Sequence, residues 1–155
     1  MRRLFFHVFF TLLLGAGLVA CGGGPVKRYF PPDVRVQELT FGPQGTTLSV
    51  RVQSFSTVPS QLEEFSLKLD LAGRPAALLE AQPGSNLLPQ AAEITVLNVT
   101  LSEADAAAVR TALTERRALR YRLHGTITVD PPGRRYDIDY NSALSPVPGL
   151  EGVLR

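Results

Sequence analysis

The chain has 155 residues, a length that suits one domain with attachments and excludes a large multidomain enzyme. At 45% hydrophobic and 19% charged, with 12 prolines and 13 glycines, its composition is that of a turn-rich globular chain and excludes a disordered one. Once Arg2 and Arg3 are set aside as part of a leader, the 16 basic residues fall to equality with the 14 acidic ones, and nucleic-acid binding loses its electrostatic support.

Residues 1–20 have the three parts of an export signal: Arg2 and Arg3, an apolar run over 4–14, and small residues from Gly15 toward Ala20. The run is short of the ~20 apolar residues that a spanning helix needs. The leader ends Leu18-Val19-Ala20-Cys21, and Cys21 is the only cysteine, so no internal disulfide can form. This ending resembles the lipobox of bacterial lipoproteins. The resemblance implies cleavage between Ala20 and Cys21 and a membrane anchor of diacylglycerol and a further acyl chain, such as palmitate, on Cys21. Two or three chains, at ~0.8 kcal/mol per buried methylene, anchor stably where one does not. Residues 21–31 then read as the lipidated cysteine and a flexible tether, with Gly22-Gly23-Gly24-Pro25 supplying the freedom. Glycine at position 22, where aspartate would signal inner-membrane retention, implies by the same resemblance an outer-membrane lipoprotein facing the periplasm.

The mature domain, 32–142, is a series of period-2 runs. Val34 and Val36 give way in phase to Leu39 and Phe41, which predicts a bulge. Leu48, Val50 and Val52 alternate with Ser49 and Arg51 and run into a polar corner, 53–59. Phe65, Leu67, Leu69 and Leu71 interleave with Ser66, Lys68 and Asp70, a pattern whose register is well specified because a one-residue slip would bury a lysine and an aspartate. A weaker strand follows the Ala72-Gly73-Arg74-Pro75 turn, over 76–81. The run from Ile94 and Val96 to Val99 and Leu101 changes phase and predicts a second bulge. Ser102-Glu103-Ala104-Asp105 has a capping residue and early acids and opens a helix over 106–117, with Val109 and Leu113 facing the sheet and basic residues at its end. Two further strands, around 121–129 and 136–140, are joined by the Asp130-Pro131-Pro132-Gly133 turn. Residues 143–155, with Ser145-Pro146-Val147-Pro148-Gly149, read as an extended, proline-stiffened tail. These elements predict a mainly β fold: an immunoglobulin- or fibronectin-III-like antiparallel β-sandwich of about seven strands with one late helix as a crossover between sheets.

The order of these elements resembles the type-2 late embryogenesis abundant family, also called the WHy (water stress and hypersensitive response) domain. The resemblance is carried by Pro32-Asp33-Val34-Arg35-Val36, by Leu48-Ser49-Val50-Arg51-Val52 with the corner after it, by the strand ending at Gly73, by the helix and by Tyr121-Arg122-Leu123-His124-Gly125. It departs at the corner, where the family's Asn-Pro-Asn is Ser54-Phe55-Ser56-Thr57-Val58-Pro59, although Ser and Thr can make the same local backbone hydrogen bonds. The resemblance implies a non-catalytic module that protects or organises envelope components under stress such as desiccation. A lipid-binding or lipid-transfer module, or one that adds a partner's strand at an open edge, stands as the alternative.

Catalytic motifs are missing: no Gly-x-Ser-x-Gly elbow, phosphate loop or dinucleotide fingerprint appears. His124 is the one histidine after the leader and reads as a residue of a solvated strand face, so neither a metal nor another cofactor is expected. Asp137 and Asp139 share a face near Arg134 and Arg135, which reads as salt-bridged rather than cation-binding. Asn98-Val99-Thr100 matches a glycosylation acceptor by chance. The candidate contacts for lipid or a client protein are Leu87 and Leu88, as an apolar lip if exposed or an end plug if buried, and Arg120 and Arg122, as a pair facing anionic headgroups.

Overall fold

The computed structural model describes Gly24 and residues 26–155; Leu18, Val19, Ala20 and Cys21 lie outside the described residues. Among the described residues nine strands and one helix follow in order: β1 (Asp33–Gly42), β2 (Gly45–Gln53), β3 (Ser60–Leu71), β4 (Arg74–Ala81), β5 (Ser85–Leu87), β6 (Ala92–Val99), α1 (Glu103–Thr114), β7 (Leu119–Asp130), β8 (Arg134–Leu144) and β9 (Val153–Leu154). They form an antiparallel β-sandwich. One sheet runs β6-β2-β1-β9 and the other β4-β3-β7-β8, with β5 paired to the start of β3.

The alternation read from sequence is the alternation of the pleat. Phe65, Leu67, Leu69 and Leu71 of β3 meet Leu48, Val50 and Val52 of β2 and Leu123 and Ile127 of β7 in one core. The phase change in β1 is a bulge between Val36 and Glu38. The second bulge does not form: β6 pairs with β2 without a break from Gln53↔Ala92 to Thr46↔Val99. Ile94 and Val96 instead lie on the outer face of this edge strand, Val96 62% exposed, while Leu97 and Val99 turn toward the core. An edge strand buries less on both faces, so its apolar residues need not keep one phase.

Helix α1 connects the two sheets, as a crossover should. Ser102 caps it and accepts a hydrogen bond from the Asp105 N–H, while buried Asp105 meets Arg74 at 3.4 Å. The helix buries Ala106, Val109 and Ala112, with Leu113 only partly covered. It stops earlier than expected and has no basic residue in its last turn. Arg116 adopts φ 51° and Arg117 N–H donates to the Ala112 carbonyl at 2.9 Å, a Schellman-type closure that places both arginines beyond the helix.

Two other boundaries move. Residues 143–155 are not an extended tail: the chain returns, β9 pairs with β1 through Leu39↔Leu154 and Thr40↔Val153, and Leu154 is fully buried. The end of the tether is likewise fastened. Thr57 Oγ1 accepts from Arg28 N–H and donates to the Val26 carbonyl, both at 3.0 Å, and Ser56 Oγ accepts from Phe30 N–H at 3.1 Å. The corner hydroxyls thus hydrogen-bond backbone, as Ser and Thr at such a turn can, but the backbone they hold is that of residues 26–30.

Tyr121 is buried between the sheets and its hydroxyl donates to the Val36 carbonyl at 3.4 Å. Burial raises its pKa above the ordinary 10.0. A raised value means that the folded chain holds this proton longer than the unfolded one. The stability it contributes is therefore complete below pH 10.0 and declines as pH rises through the folded pKa. Urea midpoints measured from pH 9 to 11 are expected to fall more steeply for the native chain than for Tyr121→Phe; parallel curves would contradict this.

Candidate functional site

The end of the sandwich at which the chain enters gathers apolar side chains in the open. Val26, Tyr29 and Phe30 lie on the clasped segment, Phe55 lies in the corner that clasps it, and all are exposed. The corner is tied in turn to the β5–β6 connection: Ser54 N–H donates to the Ala91 carbonyl at 2.8 Å, and Ala91 N–H to the Leu88 carbonyl at 3.2 Å. Leu88 is 57% exposed. One hydrogen-bonded end therefore presents Tyr29, Phe30, Phe55 and Leu88, with exposed Lys27 and Arg28 directly before Tyr29 in the clasped segment.

The candidate contacts separate. Leu87 is 2% exposed and plugs the core, so of the expected lip only Leu88 is outside. Consecutive residues of an extended chain point to opposite sides, and β5 ends between the two. Arg120 and Arg122 lie near the start of β7, where Tyr121 faces Leu71, whereas Leu87 faces Ser60 at the other end of β3. The arginines therefore cannot share a surface with Leu88. Arg122 is also engaged: its Nε and Nη2 donate to the Asp139 carboxylate at 2.8 and 2.7 Å, which holds that carboxyl below its usual range. His124 joins the same outer face, 3.4 Å from Asp70 and opposite Asp139. Among the described residues no group of three or more His, Cys, Asp and Glu could hold a metal ion. None of the described helices is long and apolar enough to cross a membrane.

What sequence reasoning missed is the exposure of Phe30 and Phe55 at this end and the clasp that ties their segments together. Ser56 and Thr57 signal local hydrogen bonding, but a partner 26–31 residues away leaves no local trace.

No protein-family profile matches the chain, and no curated protein matches it significantly. Among solved structures it is similar to a solution structure from Arabidopsis thaliana, at 17% identity over 85% of this chain and 91% of that one, with a TM-score of 0.49. It is also similar to a crystal structure of an ApaA protein from Bordetella pertussis, at 13% identity over 81% of this chain and 100% of that one, TM-score 0.48. A crystal structure from Archaeoglobus fulgidus matches at 10% identity over 81% of this chain and 99% of that one, TM-score 0.43.

Proposed function

We propose that the chain is a membrane-anchored lipoprotein of the periplasm, held through Cys21 to the outer membrane, whose WHy-type sandwich protects envelope components by contact rather than turnover. The observation that carries this reading is the apolar end formed by Tyr29, Phe30, Phe55 and Leu88 where the tether joins the domain. Only residues 22–25 separate Cys21 from the clasped segment, so acyl chains on Cys21 would bring that end to the bilayer. Aromatic rings and basic residues are the side chains that settle at a membrane interface. Anchoring also raises the local concentration of the sandwich, so weak contacts with neighbouring proteins become effective.

A second reading, a partner docking beside β6, is favoured by the outward Ile94 and Val96 on an edge strand.

The test uses the full chain expressed in a Gram-negative host. The native protein is expected in the membrane fraction with an acylated mass and Cys21→Ser in the soluble fraction. A dehydration-sensitive enzyme bound to the same membranes should recover more activity after drying with the native chain than with Cys21→Ser or Phe55→Asp. Equal recovery in all samples would sink the protective role, and an unacylated native chain would sink the anchor. A stoichiometric protein crosslinked through β6 would move the second reading ahead.

A further inference from the structure

The side of the sandwich between β1 and β8 is open. Strand β9 pairs with β1 only at Leu39 and Thr40, leaving the first half of β1 without a hydrogen-bonded strand on that side. A cavity of about 260 Å³ opens there, lined by Arg35, Gln37, Arg51, Tyr121, Tyr140 and Arg155. Its aromatic wall is a tilted pair, with the Tyr121 and Tyr140 ring centres 6.3 Å apart.

The polar lining is incomplete in a particular way. Arg35 and Arg51 are directly opposite each other in the β1–β2 ladder. Like charges at such a position repel, and among the described residues no carboxylate pairs with either. Arg155, also in the lining, is paired with Glu38 at 2.7 Å. Arg51 Nη2 donates to Gln53 Oε1, yet Arg51 Nε is buried without an acceptor, and Gln37 Oε1 is buried without a donor. Buried polar groups are nearly always satisfied, so an orphaned donor and an orphaned acceptor on two residues that line one cavity, beside two opposed cations, are groups that a ligand seated there can satisfy once the side chains turn toward it.

We propose that this cavity binds one small phosphate-bearing group between Arg35 and Arg51. The guanidinium fork suits phosphate oxygens, and a bound anion removes the repulsion across the ladder. The orphaned acceptor decides between anions. An ionised carboxylate has no proton to offer Gln37 Oε1, whereas a singly protonated phosphate has one. The volume lies below the ~300–1,000 Å³ of sites for drug-sized ligands, so the group is phosphate itself or a small phosphomonoester. A soluble phosphate and the phosphomonoester headgroup of a phosphatidic acid share this chemistry, because each keeps a P–OH that a phosphodiester lacks.

The full chain is titrated at constant ionic strength with inorganic phosphate, with acetate, and with a short-chain phosphatidic acid below its micelle concentration. The readouts are calorimetry and the side-chain N–H resonance of Arg51. Phosphate or the short-chain lipid is expected to bind saturably, one per chain, with the Arg51 resonance shifting. Tighter binding of inorganic phosphate would assign the site to a soluble ligand, and tighter binding of the phospholipid to a headgroup. Arg35→Gln and Arg51→Gln should each weaken binding at least tenfold, and Arg120→Gln should leave it unchanged. Arg35 is exposed, so its replacement preserves the fold and keeps the test decisive if Arg51→Gln is unstable. No saturable binding by either phosphate probe, equal binding of acetate, or affinity unchanged in Arg35→Gln would overturn the assignment.

Discussion

Gly125→Val is expected to destabilise the sandwich by about 4 kcal/mol or more, a large fraction of the ~5–15 kcal/mol that holds a typical domain together. Gly125 sits in the middle of β7, opposite Leu67 of β3 on one side and Ile138 of β8 on the other. Its φ of 144° is a conformation that L side chains rarely adopt. A Cβ there would overlap the Ser66 carbonyl oxygen and lie 2.9 Å from Leu67 Cα. Both are backbone atoms of a central strand whose neighbours fix it on both sides, so neither can swing away as a side-chain tip could. The clash must be relieved by parting β3 from β7, and that junction carries the longest ladder of the second sheet together with β7–β8. Gly42→Ala is the control: nothing lies within 4 Å of its added Cβ, and it is expected to stay within about 0.5 kcal/mol of the native chain. Urea denaturation followed by circular dichroism reads both. A Gly125→Val midpoint close to that of Gly42→Ala would mean that the β3–β7 register is not the one described.

Much of this architecture is legible in the sequence wherever a strand lies deep in a sheet. From Phe65 to Leu71 of β3 the period-2 pattern and the buried face coincide residue by residue, because a strand with neighbours on both sides holds one face on the core, and the phase changes only ahead of this run, at the bulge between Leu62 and Glu64. At the edges the same rule misleads. Ile94 and Val96 continue the apolar character of β6 but face outward, and the phase change that suggested a bulge is the exchange of an outer pair for an inner one. The two strands absent from the sequence reading, β5 and β9, have three and two residues, too few for any periodicity. They exist because Ser60 and Leu39, far away in the chain, offer unpaired backbone. The candidate site divides along the same line. Leu87 and Leu88 stand out as candidates by their apolar character beside a proline, while which of them is exposed depends on the pairing of β5. Arg35 and Arg51 belong to two separate alternating runs, and only the register of β1 on β2 makes them opposites.

The return of the chain end to β1 leads to the second large effect: Leu154→Ala is expected to cost about 2–5 kcal/mol, as for a buried leucine elsewhere, and removal of residues 145–155 more than that. Leu154 is fully buried and pairs with Leu39, itself part of the core, so truncation to alanine leaves a void between β1 and β8 that the flanking strands can close only by shifting. Deleting the segment removes more than this contact. Phe41 N–H donates to the Gly152 carbonyl at 2.8 Å, Val147 N–H to that of Val153 at 3.0 Å, and Arg155 Nε to Glu38 at 2.7 Å. Without them the second half of β1 becomes a bare edge beside an uncovered leucine, which is the template on which another chain pairs. The deletion should therefore lower the urea midpoint and also bring concentration-dependent association, measurable by sedimentation. Leu150→Ala, at a half-exposed site in the same segment, should do neither. An unchanged midpoint on deletion would restore the extended tail, because a segment that only trails from the domain contributes nothing to its unfolding.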